Sequence, residues 1–288
     1  MDGIIVVDKP KNYTSRDIVN IIESILDTRK VGHAGTLDPI ATGVLVIAIG
    51  NGLKILEFIN NKNKEYIATV KMGIETNTLD ISGELVNKVD NYYFDLSKLK
   101  DAINSFKGKS MQEVPLYSSV KVGGQRLYKY AREKKEVELP KREIEIFDIE
   151  LIDYNHDEFT FKALVSKGTY IRSLIRDIGK KIGIPCTMKE LRRTKQGVFT
   201  LDDAISLEKL ENGFLKYISL DKALNEINFI EADDYLENRI LNGSILENRY
   251  NEKLIGFKNK KGEVIALYKT YDKDNSKIKP IKVLKKED

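Results

Sequence analysis

The sequence contains few of the residues on which disulfide and membrane chemistry depend. Among its 288 residues there are one cysteine, two histidines and no tryptophan. A single cysteine, Cys186, excludes an internal disulfide and fits a reducing compartment. The longest apolar run, residues 44–49, is far too short to cross a bilayer, and the N-terminal residues lack a signal-peptide pattern. We therefore expect a cytoplasmic protein with no membrane association.

The patterns of several cofactor-dependent chemistries are also missing. The two histidines and the cysteine do not have metal-ligand spacing. Gly108-Lys109-Ser110 lacks the glycine that a nucleotide P-loop needs five positions earlier, where Ile103 stands. Gly50-Asn51-Gly52 lacks the third glycine of a dinucleotide fingerprint, and no G-x-S-x-G elbow for serine hydrolysis occurs. The sequence predicts chemistry with no metal and no cofactor.

Charge is nearly balanced over the chain, at +4, but it is unevenly distributed. Basic residues exceed acidic ones by eight to four in 120–143, by eight to two in 172–195 and by ten to five in 256–288. Residues 200–250 have the opposite balance, with eleven acids and five bases. Any one such window is compatible with an ordinary solvated face. Three of them together favour a polyanion, such as a nucleic acid, bound on one side of the molecule.

Apolar periodicity predicts both helices and strands, and 41% hydrophobic residues are enough for a sizeable core. The first helix follows Thr14 or Ser15, either of which can cap it, and has isoleucines at i, i+3, i+4 and i+7. Strands are predicted at 4–7, 44–49, 67–72, 144–151 and 159–165, and further helices at 96–106 and 171–182.

Two regions depart from these patterns. Residues 107–141 are basic, contain three glycines and three tyrosines, and have no clear period, which indicates a mobile arm. A change of composition near residue 225 predicts a domain boundary. Beyond it, short apolar segments alternate with turns, a pattern typical of a small β-barrel.

One isolated carboxylate stands in an unusual loop. Residues 32–43 contain three glycines and Pro39 around Asp38, and they lead directly into the apolar run 44–49. Glycines permit backbone conformations closed to other residues, and Pro39 biases Asp38 towards an extended conformation. A stiff loop that presents a carboxylate is typical of a catalytic group, although Asp-Pro is also a common turn dipeptide.

Four other residues have ordinary interpretations when read alone. His33 fits a loop histidine, and Tyr66 and Leu191 fit core side chains. Arg172 falls in the first turn of a predicted helix that Thr169 could cap, where an arginine is usually a surface group. An arginine can also bind a carboxylate bidentately and orient it, which is what Asp38 would need.

The loop around Asp38 resembles the G-H-A-G-T-L-D-P-x-A-T-G-V-L signature of the TruB family, the bacterial tRNA pseudouridine synthases that act on uridine 55 of the T-loop. Further matches occur in order along the chain. One precedes this loop, at 8–10 with 14–15. The others come after it, at 64–66, at 76–83, at 114–121, at 124 with 128 and 131–132, at 166–174 and at 191–193. The departures are Leu116 in place of a second proline, Ser119 in place of alanine, and Lys134 in place of glycine. All three lie in the arm, so they bear on its flexibility and leave the catalytic motifs intact.

The resemblance implies an α+β fold. A catalytic domain, residues 1–225, would contain a mixed, largely antiparallel sheet with flanking helices, and residues 107–141 would grip RNA. Residues 226–288 resemble the PUA-type RNA-binding barrel that accompanies TruB catalytic domains. The implied partner is the T-arm stem-loop of tRNA. No protein partner is implied, and we expect a monomer.

The resemblance also implies a reaction and roles for six residues. The uridine is flipped out, its C1′–N1 bond is cleaved, the uracil rotates, and a C1′–C5 bond forms. In this mechanism Asp38 acts as nucleophile or as base at the sugar, and Arg172 orients it. Tyr66 stacks on the base and carries a proton. Tyr170 and Leu191 contact the substrate, and His33 contacts the RNA beside the flipped uridine. Two alternatives remain open from the residues: an RNA-binding protein or chaperone without catalysis, and another RNA-modifying enzyme such as a methyltransferase, against which the missing cofactor loop argues.

Overall fold

The computed structural model describes residues 2–250 and 252–284. The strands in these residues are β1 (Gly3–Lys9), β2 (Val31–Ala34), β3 (Thr42–Ile49), β4 (Lys64–Met72), β5 (Ile74–Thr76), β6 (Leu85–Lys88), β7 (Gly108–Glu113), β8 (Lys121–Val122), β9 (Gln125–Arg126), β10 (Lys141–Tyr154), β11 (Glu158–Val165), β12 (Cys186–Gln196), β13 (Phe199–Thr200), β14 (Ile205–Ser206), β15 (Asn228–Glu231), β16 (Leu246–Glu247), β17 (Leu254–Lys258), β18 (Val264–Tyr271) and β19 (Asp274–Val283).

The α-helices are α1 (Ser15–Ile25), α2 (Leu56–Asn60), α3 (Leu96–Asn104), α4 (Leu127–Arg132), α5 (Ile171–Ile182), α6 (Leu207–Glu211), α7 (Leu220–Ala223) and α8 (Asp234–Leu241). Two 3₁₀ helices occupy Gly50–Ile55 and Leu201–Asp203. Within the described residues, none of the helices has both the length and the apolar composition needed to cross a membrane.

The chain divides into two compact units that do not follow the order of the sequence. The first unit comprises the residues up to Asp38, Val44–Asn61, and the residues from Gly197 onward. The second unit comprises Pro39–Gly43 and Lys62–Gln196. The chain therefore enters the second unit directly after Asp38, in the middle of the glycine-rich loop.

The first unit is built on β1, whose Ile4–Val7 segment is fully buried as the apolar run predicts. Strand β1 lies between β14 and β3, and β2 pairs antiparallel with β3. Helix α1 begins after Thr14, which accepts a hydrogen bond from the Asp17 N–H in a capping box. This confirms the predicted helix and selects Thr14 over Ser15 as its cap.

The second unit contains an antiparallel sheet in the order β12, β4, β11, β10, β7. Side chains of β4 alternate between buried and half-buried, because one face of the sheet is covered. Helices α3 and α5 pack against each other, and α5 also packs on β12. Together with the first unit, this confirms the predicted α+β class with mixed strand pairing.

The predicted arm needs a correction at its start. Residues 108–113 form the edge strand β7, which pairs along its length with β10. An edge strand exposes most of its side chains, and in β7 only Gln112 is fully buried, so it carries no alternating apolar signal. The remaining segment, 114–140, contains the two-stranded pair β8–β9 and helix α4.

The C-terminal strands form a separate sheet in the order β15, β17, β18, β19, β16. In the described part of the chain the first and last of these strands do not pair, so the sheet is a half-barrel. It has a core of its own around Phe257 and Tyr268. Its opposite side, however, joins the N-terminal core: Leu267 and Leu284 pack in the same cluster as Ile4.

Deleting residues 226–288 should therefore destabilise the first unit as well as removing the half-barrel. Residues such as Ile4 would lose apolar cover, and each fully exposed aliphatic side chain costs about 1.5–3 kcal/mol. We expect the truncated chain to lose the cooperative thermal transition in circular dichroism and to bind a hydrophobic dye. A truncated chain with a transition like that of the full chain would instead show that the half-barrel is an independent module.

Candidate active site

The position of Asp38 is set by the start of helix α1. The Lys9 ammonium is fully buried and donates hydrogen bonds to the Pro10 carbonyl at 2.8 Å and the Tyr13 carbonyl at 2.6 Å, which closes the turn before the helix. The first helical residue, Ser15, then accepts a hydrogen bond from the Leu37 N–H at 2.9 Å and donates to the Leu37 carbonyl at 3.3 Å. The residue before the half-buried Asp38 is thus held at both of its backbone polar groups.

His33 lies in the same unit, on strand β2. It is half-buried and stands opposite Ile47 of β3 in the antiparallel pair. A strand position fixes the backbone of this histidine more firmly than the loop position that the sequence alone suggests.

The far end of the glycine-rich loop is held by a backbone contact within the second unit. Thr42 and Gly43 pair in parallel with Arg192 and Arg193 of β12. Gly43 has a φ of +100°, and a Cβ at this position would lie 2.2 Å from the Arg193 carbonyl oxygen. Glycine is required here both for its conformation and for the close approach.

Tyr66 and Leu191 lie on one face of the second unit's sheet. In the strand register, Tyr66 of β4 faces Arg193 of β12, and Leu191 of β12 faces Ala68 of β4. Residues that face each other across two strands share a face of the sheet, and so do residues two apart along one strand. The two predicted substrate contacts, Tyr66 and Leu191, are therefore diagonal neighbours on the same face. Both are 7% exposed, and Arg193 between them is fully buried.

Helix α5 begins at Ile171, which makes Tyr170 its N-cap residue and corrects the predicted cap at Thr169. The Tyr170 side chain makes no capping hydrogen bond. A distant strand fixes this residue instead: the Gln112 side-chain amide accepts from the Tyr170 N–H at 2.8 Å and donates to the Tyr170 carbonyl at 3.1 Å. A partner 58 residues away leaves no local sequence signal.

Arg172 is a buried cation, 5% exposed, although a helix-start arginine is usually a surface group. Its Nη1 donates to the Thr78 carbonyl at 2.9 Å, and its Nη2 donates to the Tyr117 carbonyl at 3.0 Å. Thr78 is held in turn, because its hydroxyl donates to the Asp80 carboxylate at 3.0 Å. The guanidinium therefore joins the 76–83 and 114–121 motifs, to which the sequence assigns no role.

The face that carries Tyr66 is strongly basic. Lys64 lies two residues before Tyr66 on the same face and is 8% exposed. Burial, with smaller contributions from the positive charges of Arg193 and Lys167, lowers the pKa of Lys64 from 10.5 to about 8. The sequence places Lys64 in the 64–66 match without assigning it a role, and Gln112 lies outside the matched motifs because its contact is with a distant residue.

The structure thus places the six predicted residues in two groups. His33 and Asp38 belong to the first unit, and Tyr66, Tyr170, Arg172 and Leu191 belong to the second. The roles predicted for them stay predictions. In the described ranges, His, Cys, Asp and Glu side chains form no group of three or more that could hold a metal ion.

Comparison with known proteins identifies similar sequences along most of the chain. The family model described as TruB family pseudouridylate synthase (N terminal domain) matches residues 23–171, and that described as tRNA pseudouridylate synthase B C-terminal domain matches residues 172–241. A protein of Clostridium tetani (strain Massachusetts / E88), named tRNA pseudouridine synthase B, is 42% identical over 271 residues, or 93% of this chain and 92% of that protein. The protein of that name from Bacillus subtilis (strain 168) is 38% identical over 302 residues, or 99% of this chain and 98% of that protein.

A solved structure supports the fold independently. The structure described as an H/ACA RNP bound to a substrate RNA containing 2′-deoxyuridine matches with a TM-score of 0.73 and 23% identity. The match covers 99% of this chain and 85% of the other.

The close approach at Gly43 predicts a large cost for Gly43→Ala. The added methyl group would collide with the Arg193 backbone, in addition to the roughly 1–2 kcal/mol that a non-glycine residue loses at positive φ. Gly108→Ala is the matched control, since Gly108 has a φ of +104° but no atom lies within 4 Å of the point that its Cβ would occupy. We expect Gly43→Ala to lower the free energy of unfolding in urea by at least about 2 kcal/mol more than the control. Equal losses would show that only the φ angle matters.

The lowered pKa of Lys64 predicts a pH dependence of stability. Between about pH 8 and 10.5 the unfolded chain retains a proton on Lys64 that the folded chain has released, so the free energy of unfolding rises with pH across this window. Lys64→Met should remove up to about 3 kcal/mol of this rise. Lys71→Met, a half-exposed position on the same strand, is the control and should leave the rise unchanged. Identical profiles for wild type and Lys64→Met would contradict the assignment.

Proposed function

Since the chain belongs to the TruB family of pseudouridylate synthases, we propose that it isomerises uridine 55 in the T-loop of tRNA to pseudouridine. The chain is an enzyme, an isomerase. The two relatives described above carry the name tRNA pseudouridine synthase B, which supports tRNA as the substrate. Such an enzyme works where tRNA is present, so we place it in the cytoplasm, in keeping with its single cysteine.

The main support for the catalytic role of Asp38 is the way its loop is held. Within the first unit, Ser15 binds the Leu37 backbone directly before the carboxylate. Within the second unit, the Gly43 backbone at the far end of the loop is packed against Arg193. Preorganised groups contribute most to catalysis because no reorganisation is needed during the reaction.

The reaction proposed for this site is an internal exchange of bonds at C1′ of the ribose. The C1′–N1 bond breaks, the detached uracil turns, and a C1′–C5 bond forms. The proton on C5 is lost and N1 gains one, so no atom is added or removed and no redox step occurs. One carboxylate is sufficient, with Asp38 acting either as nucleophile at C1′ or as base at the sugar. Paired carboxylates are needed for glycoside hydrolysis, which adds water.

Arg172 is proposed as the group that orients Asp38. A buried guanidinium is costly unless it is hydrogen-bonded and paired with an anion, and the carbonyls of Thr78 and Tyr117 engage two of its five N–H groups. These contacts hold the guanidinium plane, which suits bidentate recognition of a carboxylate.

The flipped uracil is proposed to lie against Tyr66, Tyr170 and Leu191. Tyr66 and Leu191 form a continuous buried surface on the sheet, with the basic groups of Lys64 and Arg193 beside them. Tyr66 would stack on the base, and its hydroxyl would carry a proton. His33 would contact the RNA next to the extruded nucleotide.

For binding of the T-arm we propose the segment 114–140 and the C-terminal half-barrel, the latter as a PUA-like module. Cations in the segment 114–140 include Arg132, which lies over the ring of Tyr128 at 5.4 Å. Many lysines of the half-barrel are ion-paired instead, for example Lys258 with Asp221 at 2.7 Å and Lys260 with Asp234 at 2.8 Å. We therefore expect the half-barrel to contribute fewer phosphate contacts than its sequence charge suggests. The monomer is proposed as the working unit, with no protein partner.

Asp38→Asn tests the proposed chemistry directly. With unmodified tRNA transcript and no cofactor, the wild-type enzyme should form pseudouridine at position 55, and none in a transcript with cytidine there. We expect Asp38→Asn to lower turnover by about 10³-fold or more, equivalent to about 4 kcal/mol in the barrier. Its tRNA affinity should change little, because binding depends on many phosphate and stacking contacts.

The control for this experiment is Asp27→Asn. Asp27 is exposed and has a φ of 46°, a conformation that asparagine accepts readily, so activity should be retained. Substantial turnover by Asp38→Asn would remove this carboxylate from the mechanism. Tight tRNA binding by a wild-type enzyme that forms no pseudouridine would favour an RNA chaperone, and product formed only with an added methyl donor would favour a methyltransferase.

A further inference from the structure

Gln112 makes an unusual contact at the start of helix α5. It is the single fully buried residue of edge strand β7, at 4% exposure. Its side-chain oxygen accepts from the Tyr170 N–H at 2.8 Å, and its side-chain nitrogen donates to the Tyr170 carbonyl at 3.1 Å. One amide thus binds both backbone polar groups of one residue, as a neighbouring strand would, and fixes the φ and ψ angles of Tyr170.

A second residue acts on the ring of the same tyrosine. Arg142 of β10 is the direct cross-strand partner of Gln112. Its guanidinium carbon lies 5.9 Å from the centre of the Tyr170 ring, within the range of a cation–π contact. Two adjacent residues of the sheet edge therefore hold Tyr170, one through its backbone and one through its ring.

The strand and the helix are already joined by other contacts. Ser173 Oγ donates to the Glu113 carbonyl at 2.8 Å, and Arg176 Nη1 forms an ion pair with the Glu113 carboxylate at 2.8 Å. These bonds hold α5 against β7 without touching Tyr170. Gln112 and Arg142 differ from these contacts because both act on Tyr170 itself, one on its backbone and one on its ring.

We propose that Gln112 and Arg142 are positioning residues that hold the Tyr170 ring in place for the flipped uridine. The inference rests on the proposed function, in which Tyr170 contacts the substrate base. Tyr170 is half-buried, so the residue is partly accessible. Arg142 lies over one face of the ring, so we place the uracil on the opposite face. A guanidinium over the ring also restrains rotation of the tyrosine side chain.

Gln112→Glu tests the amide with almost no change of shape. At pH 8 the carboxylate can still accept from the Tyr170 N–H but repels the Tyr170 carbonyl. A protonated carboxyl group can make both hydrogen bonds again. We expect kcat at saturating tRNA to fall about 10- to 100-fold at pH 8, and this loss relative to wild type to shrink as the pH is lowered, since burial at position 112 raises the pKa of a carboxyl group there and favours its protonated form. KM should change by less than about threefold, since tRNA binding rests on many phosphate contacts.

Three further variants separate positioning from general stability. Gln112→Leu should lose kcat by a factor that does not change with pH. Arg142→Lys, which keeps the charge but loses the planar group, should recover only part of the kcat lost in Arg142→Met. Ser173→Ala, the matched control, removes a β7–α5 hydrogen bond of the same length, so it should lower the melting temperature while leaving kcat within about twofold.

A double-mutant cycle with Tyr170→Ala decides whether the effect runs through the tyrosine. If Gln112 and Arg142 act by placing the ring, their variants should change kcat by less than about twofold in the Tyr170→Ala background. Independent, multiplicative losses in that background would overturn the inference, as would a Gln112→Glu enzyme with unchanged kcat at pH 8. Failure of the proposed function would look different: the wild-type enzyme itself would leave uridine 55 unmodified, and both proposals would fall.

Discussion

The close approach of two backbones at Gly43 is the constraint on which the second unit's part of the site depends. Strand β12 can pair in parallel with the start of β3 only because residue 43 has no Cβ. The same stretch of β12 carries Leu191 and Arg193, whose partners on β4 are Ala68 and Tyr66. A side chain at position 43 would push β12 aside, and the surface formed by Tyr66 and Leu191 would be displaced with it. The shape of the glycine-rich loop is therefore required by packing as much as by chemistry.

Elements with a strong apolar period could be predicted from the sequence, and elements without one could not. Helix α1 and strand β4 follow directly from their isoleucine spacing and alternation, and the TruB resemblance gives the site motifs in order. Strand β7 is missed because an edge strand that buries only Gln112 has no period to detect. The carbonyl partners of Arg172 are missed for a different reason, since every residue has a carbonyl and no side-chain type marks the ones that are used.

The positive charges of this protein are of two kinds, exposed lysines in ion pairs and buried cations, and a count of Lys and Arg residues does not distinguish them. Lysines of the C-terminal half-barrel stand at the surface beside acidic groups, as Lys279 does beside Asp272 at 2.9 Å. Such exposed pairs contribute little to stability and leave little net field. Lys64, Arg172 and Arg193 are buried in the second unit, where low polarity strengthens every interaction they make. The electrostatic character of the site is thus set by three residues outside any obvious surface patch.

Helix α5 lacks a capping side chain of its own and takes its N-terminal order from Gln112, 58 residues earlier in the chain. Closing a loop of that length costs on the order of 4 kcal/mol of chain entropy. The hydrogen bonds at one helix end do not offset this cost until the intervening strands of the sheet have paired. We expect the C-terminal part of α5 to form early because it has an apolar face of its own, and the turn that carries Tyr170 and Arg172 to become ordered only when β7 docks. We therefore expect the end of the helix that carries these two candidate site residues to be among the last parts of the unit to fold, so that a nearly native chain would still lack an ordered candidate site.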